Sequence, residues 1–518
     1  MDKRFYPIGL IAIGMLNTLA FAPFKNWWIP LLTLALLLFA VVKAPSAKKA
    51  AVYGLSYGLG WFGAGVSWVH VAIADFGGLP LIASLFLMAL LVSYLALFPA
   101  LAAALTFKSI EKLGLWGFAL FWLLAETARA KFLTGFPWLS LGYSQIEGPL
   151  RSLAPIIGEF GLQAVTALLA ICLAQLALVF KNSLSKSQLA LTTSILLFIF
   201  GLTAFSHNMS WTSDLKRTAR IALVQGNIEQ SIKWQPENEL PTMEKYLTMS
   251  TGFFEKHDLI IWPEAAVPRL EILANDYLRE VDKLAAETNT ALITGIVDYQ
   301  PETDKAYNNI IVLGKKHADD QFGHYKYLNN NRYNKHHLLP IGEFVPLESV
   351  LRKLGPIFDL PMSSFSRGYY QQDNLVAQSL NISPAICFEI AFAHQVNSNL
   401  NDNSDFILTL SNDAWFGSSH GPWQHLQIAQ MRALEFAKPV VRVTNNGVTA
   451  VINANGNVDQ LLPQFEASVL SHELKVYHSQ TFYQQFGNLP AWLMVIFVSL
   501  LSVASSSRQL TFPWNKRS

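Results

Sequence analysis

Eight apolar runs restrict what this chain can fold into before any motif is read. They lie near residues 6–23, 29–42, 51–73, 79–106, 115–128, 161–180, 190–206 and 488–506. Crossing about 30 Å of hydrocarbon takes roughly 20 helical residues, and a helix satisfies its own backbone hydrogen bonds in lipid. The runs therefore predict an α-helical transmembrane bundle, seven helices before residue 206 and one after residue 486, interrupted by one long polar insertion. The second and fifth runs are short for a crossing. Only 14% of the residues are charged, against about a quarter in an ordinary soluble domain. A net charge of +2 and the lack of a dense Lys/Arg stripe exclude a nucleic-acid partner.

Short cytoplasmic loops collect Lys and Arg. One alternating set of loops holds Lys3, Arg4, Lys43, Lys48, Lys49, Lys108, Lys112, Lys181, Lys186, Arg508, Lys516 and Arg517, whereas the opposite set holds Lys25, Arg129, Lys131 and Arg151. Twelve against four places both termini in the cytoplasm and the polar insertion outside. Three regions result: a membrane domain over 1–206, an extracytoplasmic domain over 207–485, and a final helix with its tail over 486–518. Lys3-Arg4, an apolar stretch and Ala20-Phe21-Ala22 have the outline of a secretory signal. Pro23 directly after the triplet obstructs cleavage, so the first run is read as a retained helix.

Within the membrane domain, Gly58–His70 spaces small residues among aromatics, a pattern that lets helices approach closely. Thr134–Tyr143 is a Gly/Pro/aromatic loop preceded by Glu126, Arg129 and Lys131. Its ordinary reading is an aromatic belt with snorkelling charges. Its functional reading is a cationic cluster that meets lipid phosphate. Ionisable residues at mid-membrane depth are scarce, which argues against a transporter.

From Arg220 the pattern changes to short apolar runs: Ile221–Val224, Leu259–Trp262, Ala291–Val297, Ile310–Leu313, Ile382–Cys387, Phe406–Leu410, Val440–Val443 and Ala450–Ile452. These predict strands, and helical spacing over 239–256, 270–287 and 422–438 places helices between them. The alternation predicts one α/β domain.

Chemistry gathers where those strands end. Cys387 closes a buried run, and the other cysteine, Cys172, lies in an apolar span, so no disulfide partner is at hand. A free cysteine packed as a small hydrophobe is the ordinary reading. Glu264 is the first residue able to project after Leu259-Ile-Ile-Trp-Pro, where a carboxylate can act as general base, although a solvated acid is the commoner outcome. Lys335 precedes an apolar turn and Glu343 follows eight residues later. Glu389 lies two residues beyond Cys387. His420 and His425, five apart, lack the i, i+4 spacing of a zinc helix, so no metal and no cofactor is expected.

Glu264, Lys335 and Cys387, in that order and each at the end of a strand, resemble the nitrilase superfamily. With a multispan membrane part, Gly65-Val-Ser-Trp68, Phe136-Pro-Trp138, Leu223-Val-Gln-Gly-Asn227, Trp262-Pro-Glu264, Ser411-Asn-Asp-Ala-Trp-Phe-Gly417 and Gly421-Pro-Trp-Gln-His425 resemble the bacterial apolipoprotein N-acyltransferase family. The resemblance implies an αββα sandwich with Cys387 as nucleophile, Lys335 as oxyanion donor and Glu264 as proton carrier. It further implies Glu343 and Glu389 as hydrogen-bonding supports, with Trp234, Trp415, Phe388 and Asn412 at the substrate or lid. Phe388 stands where this family often has tyrosine. The implied reaction moves an acyl chain from a phospholipid, typically the sn-1 chain of phosphatidylethanolamine, to the N-terminal amine of a diacylated apolipoprotein at the bacterial inner membrane. A membrane-anchored amidase hydrolysing C–N bonds is the alternative with the same site.

Overall fold

The computed structural model describes residues 6–76, 80–179, 186–340, 342–344 and 364–506. Lys3, Arg4, Lys181, Arg508, Lys516 and Arg517, counted above, lie outside the described residues. The chain divides into two compact units: Met1–His70, Pro80–Ser210 and Thr481–Ser518 form one, and Val71–Leu79 with Trp211–Gln480 form the other.

The first unit is helical. Leu81–Arg129, Pro149–Ala177 and Lys186–His207 are long and apolar enough to cross a membrane, and shorter apolar helices cover Tyr6–Ala20, Ile29–Val42 and Leu489–Ala504. Ala47–Gly65 is a further helix, started by the Ser46 hydroxyl accepting from Lys49 N–H. Each apolar run of the sequence thus carries a helix, and the fourth and fifth join through Gly114–Trp116. The small residues of the Gly58–His70 stretch serve packing. A Cβ on Gly60 would sit 2.0 Å from the Ile11 carbonyl oxygen, and one on Gly58 would sit 2.8 Å from Ala96 Cα. Backbone contact of this kind admits no larger side chain.

The loop after Arg129 corrects one expectation. Arg129 is buried, not directed at lipid: its Nε and NH2 donate to the Glu126 carboxylate at 3.0 and 2.5 Å, and NH1 donates to the Phe136 and Trp138 carbonyls at 2.5 and 2.8 Å. A guanidinium offers only donors, and these are spent on shaping the aromatic loop. Lys131 is left exposed.

The second unit holds thirteen described strands. The first sheet comprises β1 (Thr212–Gln225), β2 (Leu259–Ile261), β3 (Val267–Leu270), β4 (Ala291–Gln300), β5 (Lys305–Gly314), β6 (Arg332–Asn334) and β13 (Ser468–Ser479), in the order β13-β1-β2-β4-β5-β6 with β3 beside β4. The second comprises β7 (Leu375–Ala377), β8 (Leu380–Ile386), β9 (Phe406–Ser411), β10 (Val440–Thr444), β11 (Ala450–Ile452) and β12 (Val458–Leu461), in the order β12-β11-β10-β9-β8-β7.

Period-two alternation sorts the side chains. Ile221, Leu223, Leu259 and Ile261 enter one core with Ile382, Leu408, Leu410 and Val443 of the other sheet. Ala222, Val224, Ile260 and Trp262 face the opposite way, onto Met243 and Tyr246 of helix Pro236–Ser250 and Leu278 and Val281 of helix Glu271–Glu287. Helices Ala393–Asn399 and Gly421–Phe436 pack on the second sheet. The layers run α, β, β, α, as the resemblance implies. Each fully buried Leu or Ile in the central layer contributes about 1.5–3 kcal/mol.

All eight expected strands are present, and β3, β6, β7, β12 and β13 join them. β13 pairs antiparallel with β1 over its whole length, Gln225↔Ser468 to Thr212↔Ser479. Its apolar alternation is broken by His472, and pairing with a neighbour overrides the weak local signal.

Candidate active site

Parallel register brings distant residues to one level. Ile386 pairs with Leu410, and Ser411 pairs with Thr444, so Cys387, Asn412 and Asn445 follow three adjacent strands together. In the first sheet Ile261 pairs with Ile293, and Glu264 follows β2 at the same type of end. The carboxyl ends of parallel strands, where the chains diverge into loops, are where such sheets leave a crevice.

Glu264 is buried on a tight turn whose next residue, Ala265, has φ 47°. Gly295 makes room for that turn, since a Cβ there would meet Ala265 N at 2.5 Å and Glu264 Cα at 2.7 Å. The carboxylate accepts from Asn308 Nδ2 on Oε1 and from the Asn412 backbone N–H on Oε2, both at 2.8 Å. Lys233 Nζ donates to the Glu264 carbonyl oxygen at 3.1 Å. Burial pushes the Lys233 ammonium down to about 8.

Lys335 follows β6 and is 1% exposed. Its N–H donates to the Asn308 carbonyl at 2.8 Å. Its ammonium lies 2.9 and 2.8 Å from the two Glu343 oxygens and 3.6 Å from Glu264 Oε1. Burial opposes that charge, yet Glu343, Glu264 and Cys387 outweigh it and raise the Lys335 pKa above its ordinary value. Glu343 is fixed in turn by Asn308 Nδ2 at 2.9 Å and the Leu339 N–H at 2.8 Å.

Cys387 opens the short turn Cys387–Ala391 with φ 52° and is 9% exposed. A cation beside a thiol is expected to favour thiolate. Here the outcome is the reverse: burial, then the Glu264 charge, push the thiol up to about 12, and Lys335 offsets only part of this. The resting group is a protonated thiol beside a carboxylate.

Glu389 does not hold the thiol through its carboxylate. Its oxygens accept from the backbone N–H groups of Ile386 at 2.8 Å, His336 at 2.8 Å and His337 at 3.0 Å, from Tyr333 OH at 3.0 Å and from Gln395 Nε2 at 2.7 Å. Burial raises its pKa and the N–H donors draw it back in part. Phe388 is buried edge-on to His337 and Phe392, which stack on each other, with ring centroids 5.8 and 5.0 Å away. Asn412 serves Glu264 through its main chain, while its side chain joins Gln230 at 2.6 Å and Asn445 at 3.1 Å. Trp415 is half-buried in the turn Asp413–Phe416, and Trp234, 36% exposed, follows Lys233.

Sequence reasoning missed Asn308. Its one amide nitrogen bridges Glu264 and Glu343, and nothing in the Ile310–Leu313 run marks its neighbour as part of a site. It also missed Asp413 and Arg442, which pack around His425. Among the described residues, no group of three or more His, Cys, Asp or Glu is placed to hold a metal ion. What this arrangement offers is a thiol, a base and a buried cation.

Residues 13–172 match the family model of the apolipoprotein N-acyltransferase N-terminal domain, and residues 220–482 match that of carbon-nitrogen hydrolases. Proteins named apolipoprotein N-acyltransferase are similar over nearly their whole length. That of Photobacterium profundum is 43% identical, covering 97% of this chain and 96% of that protein. That of Shewanella oneidensis is 45% identical, covering 96% and 95%, and that of Haemophilus influenzae 40%, covering 98% and 97%. Among solved structures, Saccharomyces cerevisiae Nit3, a member of branch 10 of the nitrilase superfamily, aligns with 52% of this chain and 92% of its own at 15% identity and a TM-score of 0.37.

Proposed function

Since the chain belongs to the apolipoprotein N-acyltransferase family, we propose that it moves a fatty acyl chain from a phospholipid to the N-terminal amine of a diacylated apolipoprotein through a thioester on Cys387. One observation carries this reading: the thiol of the α/β unit lies beside a buried ammonium flanked by two carboxylates, Glu264 and Glu343. The match over residues 13–172 to the acyltransferase family's own domain favours acyl transfer over a membrane-anchored amidase, which has no use for that domain.

The charges prescribe the order of events. Because the resting thiol is protonated, attack on the donor ester requires Glu264 to take the proton as the S–C bond forms. The tetrahedral oxyanion is met by the Lys335 ammonium, which the two carboxylates keep charged. Collapse expels the glycerol oxygen, which receives the proton from Glu264, and leaves the acyl thioester. The acceptor amine then attacks the thioester carbonyl and gives its proton to Glu264. The thiolate leaves and recovers that proton, so the enzyme returns to its starting state. Glu343 holds Lys335 in place beside Glu264 throughout, and Asn308 fixes the distance between the two acids.

The donor we assign is the sn-1 chain of phosphatidylethanolamine. The loop cations support eight crossings with both termini in the cytoplasm and the α/β unit facing the periplasm of the bacterial inner membrane. Phe388, Trp234, Trp415 and Asn412 are assigned to substrate binding or the lid, the first and last of them buried.

The test is the mass of a diacylated lipoprotein before and after incubation with the protein and phospholipid. A gain of one acyl chain is expected, together with a hydroxylamine-labile adduct on Cys387 when the acceptor is omitted. Cys387→Ser loses both. Full transfer by that variant, or release of free acid from small amides in place of transfer, overturns the assignment.

A further inference from the structure

Beneath the nucleophile lies a buried polar group that the reaction above does not use. His425, on helix Gly421–Phe436, is fully buried. Its Nε2 is 3.0 Å from the Cys387 carbonyl oxygen, and its Nδ1 is 3.1 Å from Arg442 NH2. A carbonyl oxygen only accepts and a guanidinium only donates. The proton therefore sits on Nε2, and Nδ1 presents its lone pair to Arg442. Nδ1 also lies 3.2 Å from Asp413 Oδ1. With this tautomer those two atoms are both acceptors, and the Arg442 NH2 group donates to Nδ1 and to the other carboxylate oxygen, Asp413 Oδ2, at 2.5 Å. Asp413 is completed by the Ser411 hydroxyl at 2.6 Å.

The cluster acts on a backbone that needs holding. Cys387 has φ 52°, a left-handed conformation that is unfavourable for a residue with a Cβ. Such conformations persist where surrounding contacts over-determine them. Here two contacts grip the turn from opposite sides: Glu389 binds the Ile386 N–H before the nucleophile, and His425 binds the carbonyl after it. Space around the cluster is closed as well, since a Cβ on Gly447 would meet Asp413 Oδ2 at 2.4 Å.

We infer that His425, oriented by Arg442 and Asp413, is a positioning residue for the nucleophile: its Nε2–H holds the Cys387 carbonyl and so aims the thiol at Glu264 and Lys335. The inference rests on Cys387 being the nucleophile. It assigns His425 no proton transfer to or from substrate. It also gives the motif that ends in His425 a task other than metal binding.

The experiment uses the full chain in detergent with phospholipid and measures single-turnover thioester formation at Cys387, together with transfer kcat and the donor KM. His425→Phe is expected to slow acylation about 100-fold, the scale of a 1 Å misplacement, with KM changed less than about twofold. His425→Gln places a carboxamide N–H near the Nε2 position and is expected to recover about tenfold of that loss. His425→Asn, whose carboxamide reaches only the Nδ1 position, is expected to stay slow and replaces His425→Phe should that variant not fold. A merely structural role predicts equal rates for the Gln and Asn variants. That result, or wild-type acylation by His425→Phe, overturns the inference alone. Transfer by the wild-type protein without any thioester overturns the nucleophile assignment and this inference with it.

Discussion

Each unit of the molecule buries a cation against acids, and the two do so to different ends. In the helical unit one Arg129 meets one Glu126, and its remaining NH1 goes to two loop carbonyls. Positive and negative charge balance, and the pair braces a turn. In the sandwich one Lys335 meets two carboxylates beside a thiol held in its neutral form. The second carboxylate, Glu264, has a thiol proton within reach, and the buried Lys233 beside it binds its main-chain carbonyl instead of its carboxylate. Buried charge alone is weak evidence for a site, since buried pairs are often only structural. A buried set with one base too many is a stronger indication, because such an imbalance costs stability and persists where chemistry uses it.

The comparison breaks most visibly by removing each cation. Lys335→Met leaves two carboxylates facing each other, and transfer per folded molecule is expected to fall by about 10²–10³-fold or more, the effect of losing an oxyanion donor. Arg129→Met is expected to cost on the order of 3–5 kcal/mol in unfolding, as removal of one partner of a buried pair does. Its kcat, measured on the folded fraction, is expected to stay within about threefold of wild type, as for a residue whose loss acts on folding rather than on the reaction. An Arg129→Met protein with normal stability and lost kcat would move that pair into the site.

The state of the thiol sharpens the contrast next. Burial and the Glu264 charge favour the neutral form, so the thiolate fraction keeps rising with pH until about 12. Iodoacetamide labelling of Cys387, followed by peptide mass, is expected to accelerate about tenfold per pH unit from roughly pH 7 to 10. A plateau below the ordinary thiol value of about 8.5 would mean that Lys335 dominates after all. The smallest effect is expected at Gly295, where Ala places a methyl group 2.5 Å from Ala265 N. Overpacking of that kind costs roughly 1–3 kcal/mol. Displacement of Glu264 should lower kcat about tenfold while leaving donor KM in place.

How far the sequence discloses this site depends on whether a residue's task is local. Glu264 and Cys387 follow apolar runs that predict strands, and a residue just past a buried strand is conspicuous wherever the strand packs. Lys335 follows only the three-residue β6, which has no periodicity of its own, and it was found through its motif. Asn308 is invisible because its role exists only once β4, β5 and β6 are side by side. It reaches acids 44 positions before it and 35 after it. Arg442 is concealed within the apolar run Val440–Val443, where alternation turns it toward His425. The sandwich layers were legible from spacing and resemblance, whereas β13 was not, because its partner lies more than 240 residues away.

Glu389 has one further consequence. Through a single side chain it grips the end of β8 in one sheet and the backbone just after β6 in the other. Cys387 follows β8 and Lys335 follows β6, so the proposed reactive pair is divided between the two sheets and its spacing is free to vary unless something joins them. A rivet across the seam removes that freedom. Thiol and ammonium then ride together whichever sheet moves, and the spacing between them is set by the reach of one carboxylate instead of by the stiffness of the whole domain.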